Sequence, residues 1–375
     1  MNWTLNDIQI SWLDRAKLAE FCLISNKFSQ GPKVAKFEEA MAQFTGYQYA
    51  IFCSSGSTSN NILAAYAKDI LRVKKVAVPS TSWSTSISPW IRESICPVFV
   101  DINLTNLGMD LVKLEELLNK DKNVNAVFVT SLLGIMPDLE KLTKLCEEQN
   151  CHLLLDNCES LLSLPNQAYK PTCSTSTYLG HPLSSIEGGF VLTNSESVYE
   201  YALLHRAHGL TRVLPDKLQT PYCNPEVDPQ FDFALPGSNY RNTEFNALVG
   251  LLDLQRVSNN IKFRLNIYSY FANRLDYQRY QLPQLKPGDT PFCLPIILKE
   301  SNHISRLQLI KKHLTAANIE YRPIVGGNLL RQTAFCSYGQ PTDYPNSEFL
   351  NNNALYVGLH QKVTYKHIDK LLKLI

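Results

Sequence analysis

Between residues 49 and 156 the chain alternates short apolar runs with amphipathic stretches, and this alternation restricts the fold more than any other feature. Tyr49-Ala-Ile-Phe-Cys53, Val76-Ala-Val-Pro79, Pro97-Val-Phe-Val-Asp101, Asn125-Ala-Val-Phe-Val-Thr130 and His152-Leu-Leu-Leu-Asp156 have the length and continuous apolar character of strands buried on both faces. Between them lie Asn60-Asn-Ile-Leu-Ala-Ala-Tyr-Ala67, a run ending near Ser94, and the sets Leu111, Leu114, Leu118 and Leu139, Leu142, Leu145, all suited to helices. Strands joined through helices pair in parallel, so the expected class is α/β, with a mostly parallel sheet covered on both faces. Ligands bind such sheets beyond the carboxyl ends of the strands. Trp83, just past the second run, and Asp156, at the end of the fifth, should therefore share one crevice.

Upstream, Val34, Phe37, Met41 and Phe44 form the apolar face of a helix that Gly46 should stop with a left-handed cap. Downstream, a helix from Glu196 to Arg206 leads into a turn-rich stretch ending at Pro236-Gly237, long enough to be either functional or disordered. A helix from about Glu244 to Val257 follows. From about Asn259 the pattern predicts a long helix, a strand Phe292–Leu298, a helix over Ile304, Leu307 and Leu314, a strand near Ile319–Ile324, and a terminal helix Tyr365–Leu374. This predicts a large domain, 1–258, with an N-terminal arm, and a smaller α+β domain, 259–375.

Basic and acidic residues nearly balance, 36 against 34, with no basic block to meet a phosphate backbone, so nucleic acid is not an expected partner. The first residues carry neither a basic leader nor an apolar run, and no later stretch is apolar enough to span a bilayer. A cytoplasmic protein without membrane association is expected. The ten cysteines lie mostly within apolar runs, as Cys53, Cys96 and Cys293 do, and none has C-x-x-C spacing. They read as small buried hydrophobes rather than metal ligands, although Cys146, Cys151, Cys158 and Cys173 cluster loosely.

Four features carry possible chemistry. Ser54-Ser-Gly-Ser-Thr58 stands between a strand and a helix, where free backbone N–H groups favour an anion; it is either a phosphate cradle or an ordinary turn. Asp156 ends a buried run, so its charge needs a partner, either a ligand or the N–H groups of the next turn. The Trp83 indole can stack on a flat ring or fill a core. Finally, Ser176-Thr-Tyr-Leu-Gly-His181-Pro-Leu-Ser-Ser-Ile-Glu187-Gly-Gly-Phe-Val-Leu-Thr193 reads as a polar turn carrying a histidine, followed by a buried strand.

In this order these stretches resemble the active-site frame of the DegT/DnrJ/EryC/StrS family of sugar aminotransferases, and the resemblance runs through almost the whole chain. Gly31-Pro-Lys-Val-Ala-Lys-Phe-Glu38 is similar to the family's entry helix. The resemblance implies an aminotransferase fold of type I, a pyridoxal 5′-phosphate (PLP) or pyridoxamine 5′-phosphate cofactor, and a homodimer with shared sites. It places Gly56 and Ser57 as backbone donors to the cofactor phosphate, Ser176 as a hydroxyl reaching it, Trp83 over the ring and Asp156 at the ring nitrogen. Asn239, in Leu235-Pro-Gly-Ser-Asn-Tyr-Arg241, would reach the neighbouring subunit's cofactor. Glu159, also beside the ring, would orient Asn157 or assist a proton transfer.

His181, six residues before Glu187-Gly-Gly, stands where the family carries its anchoring lysine. A lysine both forms the resting imine and moves the proton at cofactor C4′; an imidazole can do only the second. Asp156-Asn-Cys-Glu-Ser160, Ser82-Trp83-Ser-Thr, Arg206–Arg212, Arg322-Pro-Ile-Val and Val357-Gly-Leu-His-Gln361 are similar to a dehydrating branch of the family that also carries this histidine. The implied activity is a 3-dehydratase that removes the C3 hydroxyl of a nucleotide-linked 4-keto-6-deoxyhexose, with a GDP-sugar favoured. Its product is a 3-deoxy-4-keto sugar, His181 is the base, and glutamate is the amino donor. Arg212, Arg241 and Arg322 are candidates for the diphosphate or the glutamate carboxylates, which fit a guanidinium fork. A non-catalytic scaffold, an iron–sulfur-coupled sugar dehydrase and an ordinary aminotransferase using another lysine remain as alternatives.

Overall fold

The computed structural model describes residues 2–7, 10–299 and 304–375. The apolar runs form β1 (Tyr49–Cys53), β2 (Lys75–Pro79), β3 (Cys96–Val100), β4 (Val124–Thr130) and β5 (His152–Asp156), joined by β6 (Cys173–Ser176) and β7 (Gly189–Thr193). Among the described residues they make one seven-stranded sheet, ordered β1-β7-β6-β5-β4-β2-β3. Pairing is parallel from β3 through β6, while β7 is antiparallel to both its neighbours. The reason is local: β6 and β7 are joined by the polar turn rather than by a crossover helix.

Alternate residues of each strand feed opposite faces. Phe52, Val127, Val129, Leu155 and Phe190 pack into one core with Phe37 and Met41 of the helix Pro32–Thr45. Ile51, Val78, Ala126, Phe128, Leu154 and Val191 pack into a second core with Ile62, Leu63 and Ala67 of the helix Gly56–Asp69. Gly46 closes the first of these helices at φ 71°, in the left-handed region.

The later part of the chain builds a four-stranded antiparallel sheet from β8 (Tyr280–Gln281), β9 (Cys293–Leu298), β10 (Tyr321–Arg322) and β11 (Ala354–Gly358), ordered β10-β11-β9-β8. The N-terminal residues lie on this smaller sheet. Trp3 pairs with Ile319, donates from Nε1 to the Gly358 carbonyl at 3.0 Å, and is buried among Leu294, Leu355 and Ile368.

Several expectations change. The helix expected from Glu244 to Val257 ends at Leu254, and a separate helix runs Val257–Ala272. The strand expected near Ile319–Ile324 shrinks to the two residues of β10, and the turn-rich stretch contains short helical turns such as Thr211–Val213 and Asp216–Gln219. β6, β11 and the Ser11-capped helix Trp12–Ile24 were not anticipated; β6 is only four small residues, three of them polar. Cys96, expected to be buried, opens β3 and is exposed, because strand ends reach past the core. No described helix is both long and apolar enough to cross a membrane.

Candidate active site

The helix Gly56–Asp69 starts where β1 leaves the sheet. Ser55 caps it, accepting from the Thr58 N–H at 3.1 Å, and the Thr58 hydroxyl returns the favour to the Ser55 N–H at 3.0 Å. This capping box leaves the Gly56 and Ser57 N–H groups without a partner among the described residues, the usual state of a first helical turn. Gly56 is required by packing: a Cβ there would lie 2.7 Å from Cys158 Sγ and 2.9 Å from Ser176 Cβ. The helix start thus presses against the end of β6, putting Ser176 beside the free N–H groups. The Ser57 hydroxyl is tied to Thr85 at 2.9 Å, and Ser176 Oγ accepts from the Tyr178 N–H at 3.2 Å.

A cavity of about 680 Å³ opens beyond the carboxyl ends of the strands, and both Trp83 and Asp156 line it. Asp156 sits on its floor, buried, and accepts three hydrogen bonds: from Asn60 Nδ2 at 2.9 Å, from the Ser86 hydroxyl at 2.7 Å and from the Cys158 N–H at 3.1 Å. Asn60 is itself fixed by Ser174 and by the Thr85 carbonyl, so the carboxylate is held by two helices and β6 together. Trp83 immediately precedes the helix Ser84–Arg92 and keeps 53% of its surface exposed, so it is a cavity wall rather than core filling.

His181 lies on the turn between β6 and β7. Its N–H bonds the Tyr178 carbonyl at 2.9 Å, and its ring Nδ1 lies 2.6 Å from the Cys158 carbonyl. A carbonyl only accepts, so the ring proton is on Nδ1. Nε2 keeps its lone pair and has no hydrogen-bond partner among the described residues. Burial pushes the imidazole pKa down to about 4, partly opposed by the Cys158 carbonyl and Asp156 and reinforced by Arg264. The turn stores strain: Ile186, a β-branched residue, sits at φ 71°, held by its carbonyl accepting from the Leu179 N–H at 2.8 Å and by its N–H donating to Ser184 Oγ at 3.0 Å.

Glu159 also lines the cavity. Burial raises its pKa to about 7, and a single backbone donor, the Leu133 N–H at 3.0 Å, opposes that. It does not orient Asn157, as one sequence expectation held; the Asn157 side chain instead accepts from the Ser131 hydroxyl at 2.5 Å. Arg322 lines the cavity next to Tyr356. Asn239, Arg212 and Arg241 do not line it: Arg241 Nε donates to Asn239 Oδ1 at 3.0 Å, Arg212 lies 5.7 Å from the Phe231 ring centre, and all three are exposed.

Sequence reasoning missed Asn60 and Ser86, which grip Asp156. An asparagine facing a helix otherwise made of Ile62, Leu63 and alanines was the available signal for the first. Phe292 and Tyr356, brought to the cavity by the smaller sheet, had no local signal.

The cavity fits a phosphorylated aromatic ring with a protonated nitrogen. It offers a helix start and a hydroxyl for the phosphate, an indole for the ring face and a triply bonded carboxylate for the nitrogen. The buried hydroxyls of Ser82 and Thr130 also line it and lack partners, as groups that meet a ligand or water do. Among the described residues no lysine lines the cavity, and no group of three or more His, Cys, Asp or Glu side chains is placed to hold a metal ion.

Comparison with known proteins bears on the same frame. The chain is 31% identical over 374 residues to GDP-4-keto-6-deoxy-D-mannose 3-dehydratase of Escherichia coli O55:H7, covering 96% of each chain. The E. coli enzyme with bound hydrated PLP superposes with a TM-score of 0.91 at 29% identity, over 100% of this chain and 99% of that one. A structure of GDP-4-keto-6-deoxymannose-3-dehydratase with a trapped PLP–glutamate geminal diamine gives 0.90 at 29% identity, over 100% of both chains. The family profile for DegT/DnrJ/EryC1/StrS aminotransferases matches residues 13–375, and the chain belongs to that family.

Proposed function

We propose that this chain is a PLP- and pyridoxamine-phosphate-dependent 3-dehydratase acting on GDP-4-keto-6-deoxy-D-mannose or a close stereoisomer, removing the C3 hydroxyl. One observation carries the reading: His181, with its proton on Nδ1 and Nε2 free, stands in a cavity that no lysine lines among the described residues. The site can therefore move a proton but offers no amine to tether a cofactor. The likeness to the E. coli dehydratase supports the substrate class.

The Gly56 and Ser57 N–H groups and the Ser176 hydroxyl hold the cofactor phosphate, Trp83 covers the ring, and Asp156 keeps the ring nitrogen protonated. When bound, the pyridoxamine form supplies an amine to join the sugar ketone and a ring that absorbs the electrons released at C4′. His181 stays neutral at pH 7, so Nε2 is ready to accept the C4′ proton and, once charged, to donate one to the departing C3 hydroxyl. Glu159, with its pKa near 7, is a second group able to give or take a proton beside the ring. Arg322 meets the substrate's diphosphate or the carboxylate of glutamate, the amino donor that restores the cofactor. The trapped glutamate adduct of the related dehydratase favours that donor.

Asn239, Arg212 and Arg241 serve the neighbouring subunit's cavity in a homodimer; their exposure outside their own cavity supports that placement. The activity belongs in the cytoplasm, in keeping with ten cysteines present as thiols. The test is incubation with GDP- and dTDP-linked 4-keto-6-deoxy sugars, cofactor and glutamate, with products weighed by mass spectrometry. Loss of the C3 oxygen from the GDP-sugar is expected; an amino sugar, or no change with any substrate, overturns the proposal.

A further inference from the structure

The imidazole of His181 is fixed on its cavity side by one bond, to the Cys158 carbonyl. What fixes it from behind lies on a different part of the chain. Asn260, on the helix Val257–Ala272, donates from Nδ2 to the carbonyl of Pro182, the residue directly after His181. One turn further along the helix, Arg264 donates from Nε to Asn260 Oδ1 at 2.9 Å, locking the amide in that orientation. Arg264 Nη1 then reaches the Phe292 carbonyl at 2.8 Å and the Pro291 carbonyl at 3.3 Å. Phe292 packs edge-on against the imidazole, ring centres 5.4 Å apart at 79°.

Asn260 and Arg264 are both buried, and Arg264 has no carboxylate within ion-pair distance among the described residues. A buried guanidinium spent on carbonyls instead of a carboxylate costs desolvation that no ion pair offsets. Burial accordingly lowers its pKa to about 10. Such a group would be replaced by an apolar side chain at little loss if packing were its only role. Here its three acceptors are the two carbonyls beside the aromatic wall of His181 and the amide that holds the backbone after His181.

We propose that Asn260 and Arg264 are positioning residues for His181, clamping its backbone and its aromatic wall so that the Nδ1 bond to Cys158 forms and Nε2 is presented to the cavity. This rests on the reading of His181 as the proton carrier. The clamp comes from the helix that opens the later part of the chain, so it makes the base depend on the seating of that helix. Asn239 and the three candidate arginines contact substrate or cofactor in that reading; Asn260 and Arg264 touch neither.

The test uses ¹⁵N-histidine NMR of the full chain without cofactor, in which the His181 signals are identified by their loss in His181→Asn, alongside kcat and KM of the loaded enzyme. Asn260→Asp keeps the acceptor for Arg264 but turns the donor facing Pro182 into an acceptor. It should shift His181 from the Nδ1–H tautomer towards Nε2–H and lower kcat about tenfold, with KM changed by less than about threefold. Arg264→Lys, which keeps the charge and loses the fork, should give an intermediate tautomer mixture and a smaller fall in kcat. A variant that folds with the wild-type tautomer and wild-type kcat overturns the proposal. If Asn260→Asp does not fold, Arg264→Lys decides by the same two readouts. Full turnover in His181→Asn would sink the functional reading instead, and the tautomer result would still judge the clamp by itself.

Discussion

Asp156 and Glu159 stand three residues apart and bring the same chemical group into the same cavity, yet their surroundings differ in kind. Asp156 meets three donors, from Asn60, Ser86 and the Cys158 N–H. Glu159 meets one, the Leu133 N–H, and burial drives its pKa up to about 7. The strand end is where helices and neighbouring strands converge, so an acid there can be saturated with donors. Beyond it the chain has left the sheet, and few donors remain. One wall is thus built to hold a charge and the other to keep a proton to higher pH, with the neutral imidazole of His181 on the same cavity.

That contrast can be broken at its strongest point first. Replacing His181 by asparagine removes the only imidazole lining the cavity among the described residues and should lower kcat about 10²–10⁴-fold. Cofactor affinity, read by absorbance titration, should stay close to that of the wild type; turnover near the wild-type rate would move the proton chemistry elsewhere. Next, Asp156→Asn keeps the shape of the fixed wall while removing its charge. It should weaken cofactor binding and cut kcat about 100-fold, whereas an unchanged titration would show that Asp156 serves only to tie Asn60 and Ser86 together.

At the exchangeable wall, Glu159→Gln should cost about tenfold in kcat and remove any limb of the kcat pH profile near 7. It also has a stability signature. Because the folded-state pKa lies above the ordinary 4.5, the unfolded chain releases this proton at lower pH than the folded one, and the wild type loses stability as pH rises from about 4.5 to about 7. The variant escapes that loss, so its Tm relative to the wild type should be higher above pH 7 than at pH 4.5; a pH-independent difference would refute the raised pKa. The smallest effect is expected at Ser55→Ala, which removes the helix cap without touching either carboxylate. It should lower stability by about 1 kcal/mol in denaturant unfolding. A loss of several times that would mean that the helix start is held by more than its capping box.

The contrast between the two acids also separates what the sequence revealed from what it hid. Asp156 was legible, because a charged residue ending Leu153-Leu-Leu in a run of alternating strands and helices has little reason to be there unless something partners it. The helix start at Ser55 was legible for the same kind of local reason, and so was the crevice shared by Trp83 and Asp156. Of the two expectations for Glu159, the one that had it orient Asn157 fails because its hydrogen bond goes to Leu133, 26 positions away, and not to Asn157 two residues before it. Arg264 and Asn260 left no trace either, since their partners, Pro182 and Phe292, come from distant segments. The short strand β6 was hidden because Cys173-Ser-Thr-Ser carries almost no apolar signal and is made a strand by its neighbours. Local chemistry shows in a sequence; contacts made by the closing of the two sheets on one cavity do not.

The proposed chemistry requires a cofactor held without an amine. Loading the protein with PLP, treating it with borohydride and weighing the denatured chain addresses this directly, since reduction locks any lysine imine into a permanent adduct. The expected result is no stoichiometric adduct, with the cofactor recovered free. A stoichiometric pyridoxyl adduct mapped by peptide mass spectrometry to a lysine that reaches the cavity would contradict the claim, because it would place in the site the amine that His181 is held to have replaced.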